Sequence, residues 1–163
     1  RPLRGGGGRA RATRDASGAT PVVTGPFVID PNVVVAGLLT AEAAAPTARL
    51  LDALLAGRLP FLLSVELLAE YRQALLRPQI AAHHALSPAE IDEILVDLAA
   101  NGHVVEARPV AHPVFPRGDG HLESLLADAP AALLVTGDER ARAAAGARAV
   151  TPAVAWQLAS GAR

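Results

Sequence analysis

Four acidic residues stand where carboxylate chemistry could arise: Asp30, Glu70, Asp119 and Asp138. Asp30 directly follows an apolar run that predicts a buried strand, and Asp138 comes shortly after a second such run. Asp119 lies where a Pro-rich loop gives way to a predicted helix, and Glu70 lies in the helix that follows another predicted strand. Carboxylates at the carboxyl ends of separate parallel strands converge on one edge of a sheet. The positions of the acids therefore predict a carboxylate cluster.

Such a cluster has a definite chemical use. Like charges gathered in one place are unfavourable unless protons or cations neutralise them. Ligand sets made only of oxygen atoms select hard ions such as Mg²⁺ or Mn²⁺. These ions can activate water and stabilise the charge that develops on a reacting phosphate. The four acids thus predict a metal-assisted nuclease.

Each acid also has a simpler structural explanation. The three aspartates stand at predicted helix starts, where a carboxylate accepts backbone N–H groups and complements the helix dipole. Glu70 lies beside the apolar stripe of its helix and could be a boundary residue. Capping is the favoured explanation for each aspartate taken singly, and it is their combination that favours a site.

The elements that must position these acids alternate along the chain. Apolar runs predict strands over residues 27–29, 59–63, 103–107, 132–136 and 148–150. Periodicity and capping residues predict helices over 33–39, 41–56, 65–76, 88–101, 119–127 and 152–159, with a short helix opening at Asp138. The third of these helices is expected to stop at Pro78. The alternation predicts an α/β fold whose central parallel sheet, of about four to five strands, is covered by helices on both faces.

Composition indicates one globular domain preceded by a basic tail. Of the 163 residues, 51% are hydrophobic and 19% are charged, which is typical of a globular protein. Residues 1–21 are rich in Arg and Gly and predict a disordered tail, with the folded domain over residues 26–160. The tail has five Arg against one Asp, so the remainder has ten Arg against fifteen acids. An acidic body suits carboxylates gathered around metal better than a broad phosphate-binding surface.

Several classes of function are excluded or disfavoured by composition. The chain has no Cys, which excludes disulfides, thiolate zinc sites and cysteine nucleophiles. No apolar run approaches the roughly 18–20 residues that span a bilayer, and the basic start leads into Gly, Ser and Thr. The five His show no ligand spacing, and Gly5–Gly8 lack the Lys of a phosphate-binding loop. These features predict a cytoplasmic protein that does not associate with membranes.

Four segments resemble, in order, the motifs of PIN domains: VIDPNVVVAGLL at 28–39, SVELLAEYRQALLRP at 64–78, DGHLE at 119–123 and LLVTGD at 133–138. Thr151-Pro152 before the last predicted helix also matches the family pattern. Each motif is weak alone, but four in order are fairly specific. The order and spacing fit from about residue 26 to residue 160.

The resemblance implies a three-layer α/β/α sandwich and a metal-dependent ribonuclease. By this resemblance, the metal site of the family corresponds to four acids that would hold Mg²⁺ or Mn²⁺: Asp30, Glu70, Asp119 and Asp138. Asn32 would orient Asp30 by hydrogen bonding, and Thr136 would support the turn that carries the last acid. The subgroup that the chain resembles most comprises bacterial toxin components of toxin–antitoxin pairs. That subgroup implies a cognate antitoxin as partner and a homodimer as assembly.

Two positions depart from the family pattern. Pro31 stands between Asp30 and Asn32 in place of the usual Thr or Ser, so a hydroxyl that would support the site is missing. Gly118 stands where relatives often carry another acid beside Asp119. Both departures imply weaker metal binding than is usual in the family.

The expected substrate is single-stranded RNA or an RNA loop, because an open acidic edge reaches a flexible phosphate more easily than one in a duplex. Few aromatic residues are available to stack on bases, so little sequence discrimination is expected. Three arginines are candidates for holding the RNA backbone: Arg72, Arg117 and Arg140.

Two other functions are compatible with the sequence. The chain could be a catalytically inactive PIN fold that serves as a protein- or RNA-binding module, in which case it would bind Mn²⁺ poorly. It could also be a phosphotransferase with Asp30 as a covalent nucleophile. That reaction requires a second acid two residues later, where Asn32 stands, and a Lys, which the chain lacks.

Overall fold

A five-stranded parallel sheet forms the centre of the computed structural model, which describes Arg1, Leu3 and residues 25–161. Its strands are β1 (Phe27–Ile29), β2 (Leu62–Leu63), β3 (His103–Val104), β4 (Leu133–Val135) and β5 (Ala149–Val150). β4 pairs with both β1 and β5, and β2 pairs with β3. A parallel bridge between Phe27 and Phe61 joins the two parts, so the strand order is β3-β2-β1-β4-β5. The predicted parallel sheet is confirmed.

Helices cover this sheet, as predicted for a three-layer α/β/α fold. They are α1 (Pro31–Leu39), α2 (Pro46–Leu55), α3 (Val65–Leu76), α4 (Pro78–His84), α5 (Pro88–Asn101), α6 (Gly120–Asp128), α7 (Glu139–Ala145) and α8 (Pro152–Ser160). Among residues 25–161, five of the helices begin at a proline. Proline has no N–H and a fixed φ near −65°, so it is well tolerated at the first helical position.

The core is aliphatic and encloses the central strand. All three residues of β1 are buried, since the strand has neighbours on both sides and helices on both faces. The largest fully buried side chains include Phe27, Ile29, Leu63, Leu67 and Tyr71. Each large apolar side chain removed from water contributes about 1.5–3 kcal/mol. The end of β1, which Asp30 directly follows, is therefore firmly packed in the core.

The structure corrects the predicted region around Pro78. Pro78 ends α3, as predicted, because the preceding Arg77 has extended backbone (φ −57°, ψ 134°). It also occupies the first position of α4, a helix that the sequence analysis did not predict. A proline that cannot continue one helix is well suited to begin the next.

Other differences concern the ends of elements. The helix predicted over residues 41–56 begins only at Pro46, because the chain first turns at Thr40, whose hydroxyl accepts the N–H of Glu42 at 3.1 Å. The strands predicted over 59–63 and 103–107 are reduced to β2 and β3. β3 is an edge strand with exposed residues, where apolar pattern is a weak guide to pairing.

Two residues of the predicted tail contact the folded body. The guanidinium of Arg1 pairs with Asp52 on α2, and Leu3 packs against the core. Pro2 and residues 4–24 lie outside the described residues, so the disorder predicted for residues 4–21 stays a prediction. None of the described helices is long and apolar enough to cross a membrane.

Candidate active site

Asp30 and Thr136 lie side by side where β1 and β4 end. Ile29 is in register with Val135, so the residues that follow them stand opposite each other. The N–H of Asp30 donates to the carbonyl of Val135 at 3.0 Å, and the Thr136 hydroxyl donates to Asp30 Oδ2 at 2.7 Å. β2 lies on the other side of β1 from β4, so the strand order reverses here. Open α/β sheets leave a crevice at such a point, outside the carboxyl ends of the strands.

Both carboxylate oxygens of Asp30 accept hydrogen bonds in a buried position. Oδ1 accepts the backbone N–H of Asn32 at 2.8 Å and thereby caps α1, while Oδ2 accepts the bond from Thr136. Only 4% of Asp30 is exposed. Asp30 thus caps α1, as the capping explanation states, but the cap involves only one of its two carboxylate oxygens. The hydrogen bond between Asn32 and Asp30 comes from the backbone N–H of Asn32.

Thr136 links Asp30 to the last of the four acids. Its hydroxyl accepts the N–H of Asp138 at 3.0 Å while donating to Asp30, and no part of Thr136 is exposed. Asp138 Oδ1 accepts the N–H of Ala141 at 2.8 Å and so caps α7. Asp138 is otherwise an exposed residue. One buried hydroxyl therefore sets the relative position of two acids.

Asp119 stands at the cap position of α6 without capping it. Within residues 25–161 its side chain accepts no backbone N–H of that helix, so the capping explanation is wrong for this residue. Partial burial raises the pKa of Asp119, and the charges of Asp30 and Asp138 raise it further, whereas Arg140 lowers it. The Asp119 carboxylate is therefore near both of these acids and is not used for the local structure.

The charges of neighbouring residues also affect the pKa of Glu70. Burial raises its pKa, His121 lowers it, Asp119 and Asp30 raise it, and Arg77 lowers it. The imidazole of His121 on α6 lies beside this side chain, with Nε2 at 3.5 Å from Glu70 Oε1. The sequence analysis assigned no site role to His121, because isolated His residues show no spacing pattern. His121 is the second residue of α6, and its proximity to Glu70 becomes evident only once α3 and α6 are known to be in contact.

The pKa effects couple Asp119 with Asp30 and Asp138, and Glu70 with Asp119 and Asp30, but the acids are not gathered as tightly as metal ligands. Among the described residues, no three His, Asp or Glu side chains are close enough together to hold one ion. Their donor set, which consists of carboxylate oxygens, is the kind that Mg²⁺ or Mn²⁺ prefers. Two of them are also committed to caps, which holds Asp30 and Asp138 in place. Metal binding by these side chains stays a prediction.

Comparison with known protein families agrees with this arrangement. A sequence profile of the PIN domain matches residues 26–140, which include the four acids and the crevice they surround. The chain belongs to the PIN-domain family. Members of this family are generally nucleases. A comparison with individual curated proteins gives no match.

Tyr71 supports the PIN-domain crevice from inside the core, a role that the sequence analysis missed. Its hydroxyl donates to the carbonyl of Ile29 at 2.6 Å, one residue before Asp30, and 1% of Tyr71 is exposed. Burial raises the Tyr71 pKa well above its usual range, and the charges of Asp30 and Glu70 raise it further. The phenol therefore remains a donor. The only Tyr in an aliphatic chain was the available signal.

Glu123 is a second residue that the sequence analysis quoted without giving it a role. It is buried on α6, with 7% exposed, and its two oxygens accept the N–H groups of Val114 at 2.8 Å and Phe115 at 3.2 Å. These bonds fasten the Pro-rich loop that leads into Asp119. An acid between the apolar residues Leu122 and Leu125 of a predicted helix was the signal that could have identified it.

The two departures from the PIN pattern have local structural reasons. Pro31 occupies the first position of α1, where its ring suits the helix start. Gly118 has φ +98°, and a Cβ there would meet no atom within 4 Å. An acid at this position would thus have space but would be strained by the backbone, which only glycine adopts readily.

The arginines of this PIN domain are placed differently from one another. Arg72 donates through Nε to Asp92 Oδ1 on α5 at 2.7 Å, and its role in holding the RNA backbone stays a prediction. Arg140 lowers the pKa of Asp119, and Arg77 lowers that of Glu70, which indicates that both cations are near the acids. Arg77 was not among the predicted arginines. Arg117 is exposed in the loop before Asp119.

Proposed function

We propose that this PIN domain is a metal-dependent endoribonuclease that hydrolyses RNA phosphodiester bonds. Four acids would hold Mg²⁺ or Mn²⁺: Asp30, Glu70, Asp119 and Asp138. The observation that carries the proposal is the Asp119 carboxylate. Among residues 25–161 it accepts no cap bond from α6, yet its pKa is raised by burial and by the charges of two other acids.

Electrostatics supports a cation among these groups. Partly buried carboxylates that repel one another are unfavourable unless something neutralises them. A divalent ion would do so and would draw Glu70 and Asp119 toward Asp30, whose position is already held by two hydrogen bonds. Because Glu70 lies on the helix α3 and Asp119 at the end of a loop, both can adjust more easily than Asp30.

The residues of the chain then have distinct tasks. A bound ion would supply activated water and would neutralise charge on the phosphate. Thr136 keeps Asp30 Oδ2 and the backbone of Asp138 in register, and Tyr71 holds the carbonyl at the end of β1. Arg140, which is exposed at the start of α7 and near Asp119, is suited to contact the phosphate backbone.

The biological role proposed here is that of a toxin acting on cytoplasmic RNA. The resemblance of the four motifs to bacterial toxin components supports it, and it carries two further proposals: inhibition by a cognate antitoxin and assembly as a homodimer. Single-stranded RNA or an RNA loop is the proposed substrate, since the crevice is lined by acids and can accommodate a phosphate only where the strand is flexible.

The test is cleavage of end-labelled RNA by the full chain. Single-stranded, hairpin and duplex RNA would be incubated with Mn²⁺, Mg²⁺ or EDTA, using wild-type protein, Asp30→Asn and Asp92→Asn. Asp92 is the matched control, because it is an exposed acid that pairs with Arg72 away from the crevice. Cleavage should require metal, be lost in Asp30→Asn and persist in Asp92→Asn. Undiminished cleavage in EDTA would disprove the mechanism.

A second candidate is an inactive PIN fold that binds RNA or protein. It is favoured by the wide separation of the acids, since no three of the described His, Asp or Glu side chains are within reach of one ion. The glycine at position 118, where relatives carry an acid, also favours it. Calorimetric titration with Mn²⁺ separates the two candidates, because an inactive module should bind the ion no better than Asp30→Asn does.

A further inference from the structure

The start of α6 carries a histidine that lies against one of the four acids. Nε2 of His121 is 3.5 Å from Oε1 of Glu70, and the two side chains are 43% and 26% exposed. Glu70 belongs to α3, so this contact joins two helices that pack against each other. At 3.5 Å the two atoms are at the outer limit of a hydrogen bond, whose usual N···O distance is about 2.9 Å. A small rotation of the Glu70 side chain is enough to form the bond.

Two other acids of the crevice are already held by hydrogen bonds. Thr136 and a backbone N–H hold the two oxygens of Asp30, and a backbone N–H holds one oxygen of Asp138. In metal sites the carboxylates that bind the ion are themselves held by such partners, and loss of a partner weakens metal binding. Glu70 has a longer side chain than an aspartate, so more rotamer freedom is lost when it is fixed. A partner on α6 that restricts Glu70 removes part of this cost before an ion binds.

The contact involves one oxygen of a carboxylate that has two. Because Oε1 of Glu70 faces the imidazole, Oε2 can coordinate an ion while the contact persists. The donor is the Nε2–H of His121, which is present both in the imidazolium and in the neutral imidazole with its proton on Nε2. The contact therefore does not depend on a change in the charge of His121.

His121 shares the first turn of α6 with Asp119. Asp119 directly precedes the helix, and His121 is its second residue. Glycines stand on both sides of Asp119, and a Cβ at Gly118 or Gly120 would meet no atom within 4 Å, so this turn has space around it. A movement of the turn carries the Asp119 carboxylate and the imidazole together. The contact thus couples Glu70 to Asp119, the other acid that has to adjust when an ion binds.

We propose that His121 is a positioning residue of the carboxylate crevice, which holds Glu70 through Nε2 and ties it to the turn that carries Asp119. This role rests on the proposed function, since the position of Glu70 matters for metal only if the acids hold an ion. His121 acts through Glu70 and not through the substrate. It should therefore change how tightly metal binds and leave the affinity for RNA as it is.

The test compares two substitutions that retain different atoms of the imidazole. Glutamine places its amide nitrogen as many bonds from Cβ as Nε2 is in histidine, whereas asparagine ends one bond earlier, at the distance of Nδ1. His121→Gln should therefore keep the contact with Glu70, and His121→Asn should lose it. Calorimetric titration of the full chain with Mn²⁺ should give a dissociation constant at least about tenfold weaker in His121→Asn than in wild type. Most of the affinity should return in His121→Gln.

A matched control and a metal-free measurement accompany the titration. His103→Asn is the control, because His103 is an exposed histidine on the edge strand β3, and it should keep the wild-type affinity for Mn²⁺. Thermal melts in EDTA test the contact without metal. His121→Asn should lower the melting temperature more in the wild-type background than in a Glu70→Ala background, by roughly 1–4 °C, because the second background lacks the acceptor.

Kinetics of RNA cleavage separates a positioning role from contact with the substrate. In His121→Asn, the Mn²⁺ concentration that gives half-maximal cleavage should rise in parallel with the dissociation constant. The rate at saturating Mn²⁺ and the KM for RNA should stay near their wild-type values, because the ion, once bound, holds Glu70 in place of the histidine.

Four outcomes would overturn the proposal. Equal Mn²⁺ affinity in wild type and His121→Asn would mean that the histidine does not position Glu70. Equal losses in the Asn and Gln variants would mean that the effect does not arise from Nε2. A raised KM for RNA with unchanged Mn²⁺ affinity would mean that His121 contacts the substrate instead. Wild-type protein that binds Mn²⁺ no more tightly than Asp30→Asn does would refute the proposed nuclease itself, and the role of His121 with it.

Discussion

The hydroxyl of Thr136 donates to Oδ2 of Asp30 at 2.7 Å and accepts the N–H of Asp138 at 3.0 Å. This relationship joins residues that are 106 positions apart in the sequence, and it does so where β1 and β4 end. A buried hydroxyl in this position keeps one carboxylate oriented and the turn before α7 closed. The carboxylate crevice is therefore held in part by hydrogen bonds from an uncharged side chain, and these bonds need no cation to form.

Removing either acid of this pair should abolish cleavage. Asp30→Asn and Asp138→Asn replace a carboxylate oxygen by an amide group, which weakens the attraction for a divalent ion. The rate of RNA cleavage with Mn²⁺ should fall at least about a hundredfold, equivalent to about 2.7 kcal/mol of transition-state stabilisation. Single-turnover kinetics measures it, and Asp92→Asn should retain the wild-type rate. Wild-type rates in both crevice variants would contradict the assignment of these acids.

Metal should stabilise the folded protein through this site. An ion that binds the folded state and not the unfolded state adds about 2.7 kcal/mol when its concentration is a hundred times its dissociation constant. Wild-type protein should therefore melt at higher temperature in Mn²⁺ than in EDTA, and Asp30→Asn should lose most of that increase. Differential scanning calorimetry gives both values. An equal increase in the variant would locate the responsible ion elsewhere.

Thr136→Val should loosen the crevice without changing its charge. The valine has the shape of threonine but leaves the Asp138 N–H and one Asp30 oxygen without their partner, at a cost of about 1–3 kcal/mol in stability. Loss of a group that orients a metal ligand also lowers metal affinity by about 10- to 100-fold. Urea unfolding and Mn²⁺ titration measure the two effects. Thr136→Ser keeps the hydroxyl and should restore most of the affinity, so equal losses in both variants would refute the role of the hydrogen bond.

The raised pKa of Asp119 gives a pH dependence with a definite sign. Burial and then the charges of Asp30 and Asp138 raise this pKa above its ordinary value of 3.8, so the folded state binds the proton more tightly than the unfolded state does. The stability that Asp119 contributes is fully present below that ordinary value and is lost as pH rises through the raised folded pKa. In EDTA, Asp119→Asn should therefore be more stable than wild type at pH 7.

The difference in stability between wild type and Asp119→Asn should disappear at lower pH. As pH falls toward about 4, Asp119 becomes protonated in the folded wild type and resembles the asparagine variant. The difference in melting temperature between the two proteins should shrink toward zero. Thermal melts in EDTA at intervals between pH 4 and pH 7 follow it. A difference that is constant over this range would show that Asp119 does not feel the other carboxylates.

Glu123→Gln should release the loop that leads into Asp119. In the wild type, the two carboxylate oxygens of Glu123 accept the N–H groups of Val114 and Phe115. The amide of glutamine has only one oxygen, so its NH₂ group would face one of these two N–H groups and could not accept it. A buried N–H left without an acceptor costs about 1–3 kcal/mol. Hydrogen exchange should accelerate at these two amides, and Mn²⁺ affinity should decrease because Asp119 is less well placed. Glu106→Gln, at an exposed position, is the control, and unchanged exchange at both amides would rule out this role of Glu123.

Local signals in the sequence were sufficient for the order of the strands and of the described helices other than α4. Prolines mark the starts of helices such as α1 and α8, and short apolar runs mark β1 and β4, because steric and hydrophobic preferences act within a few residues. The same signals located Asp30 and Asp138 at strand ends, and they gave their capping roles correctly. They failed at Pro78, since a proline that ends one helix carries no information on whether another begins.

Only the tertiary structure decided which atoms meet. The strand order β3-β2-β1-β4-β5 brings Thr136 to Asp30, and nothing local to either residue specifies that neighbour. The sequence assigned no function to Tyr71, yet packing turned its hydroxyl toward Ile29, and packing likewise brought Arg72 to Asp92 on α5. The composition of a chain determines which groups are available, whereas the long-range partners of buried polar groups such as the Asp30 carboxylate and the Tyr71 hydroxyl depend on how distant segments pack together.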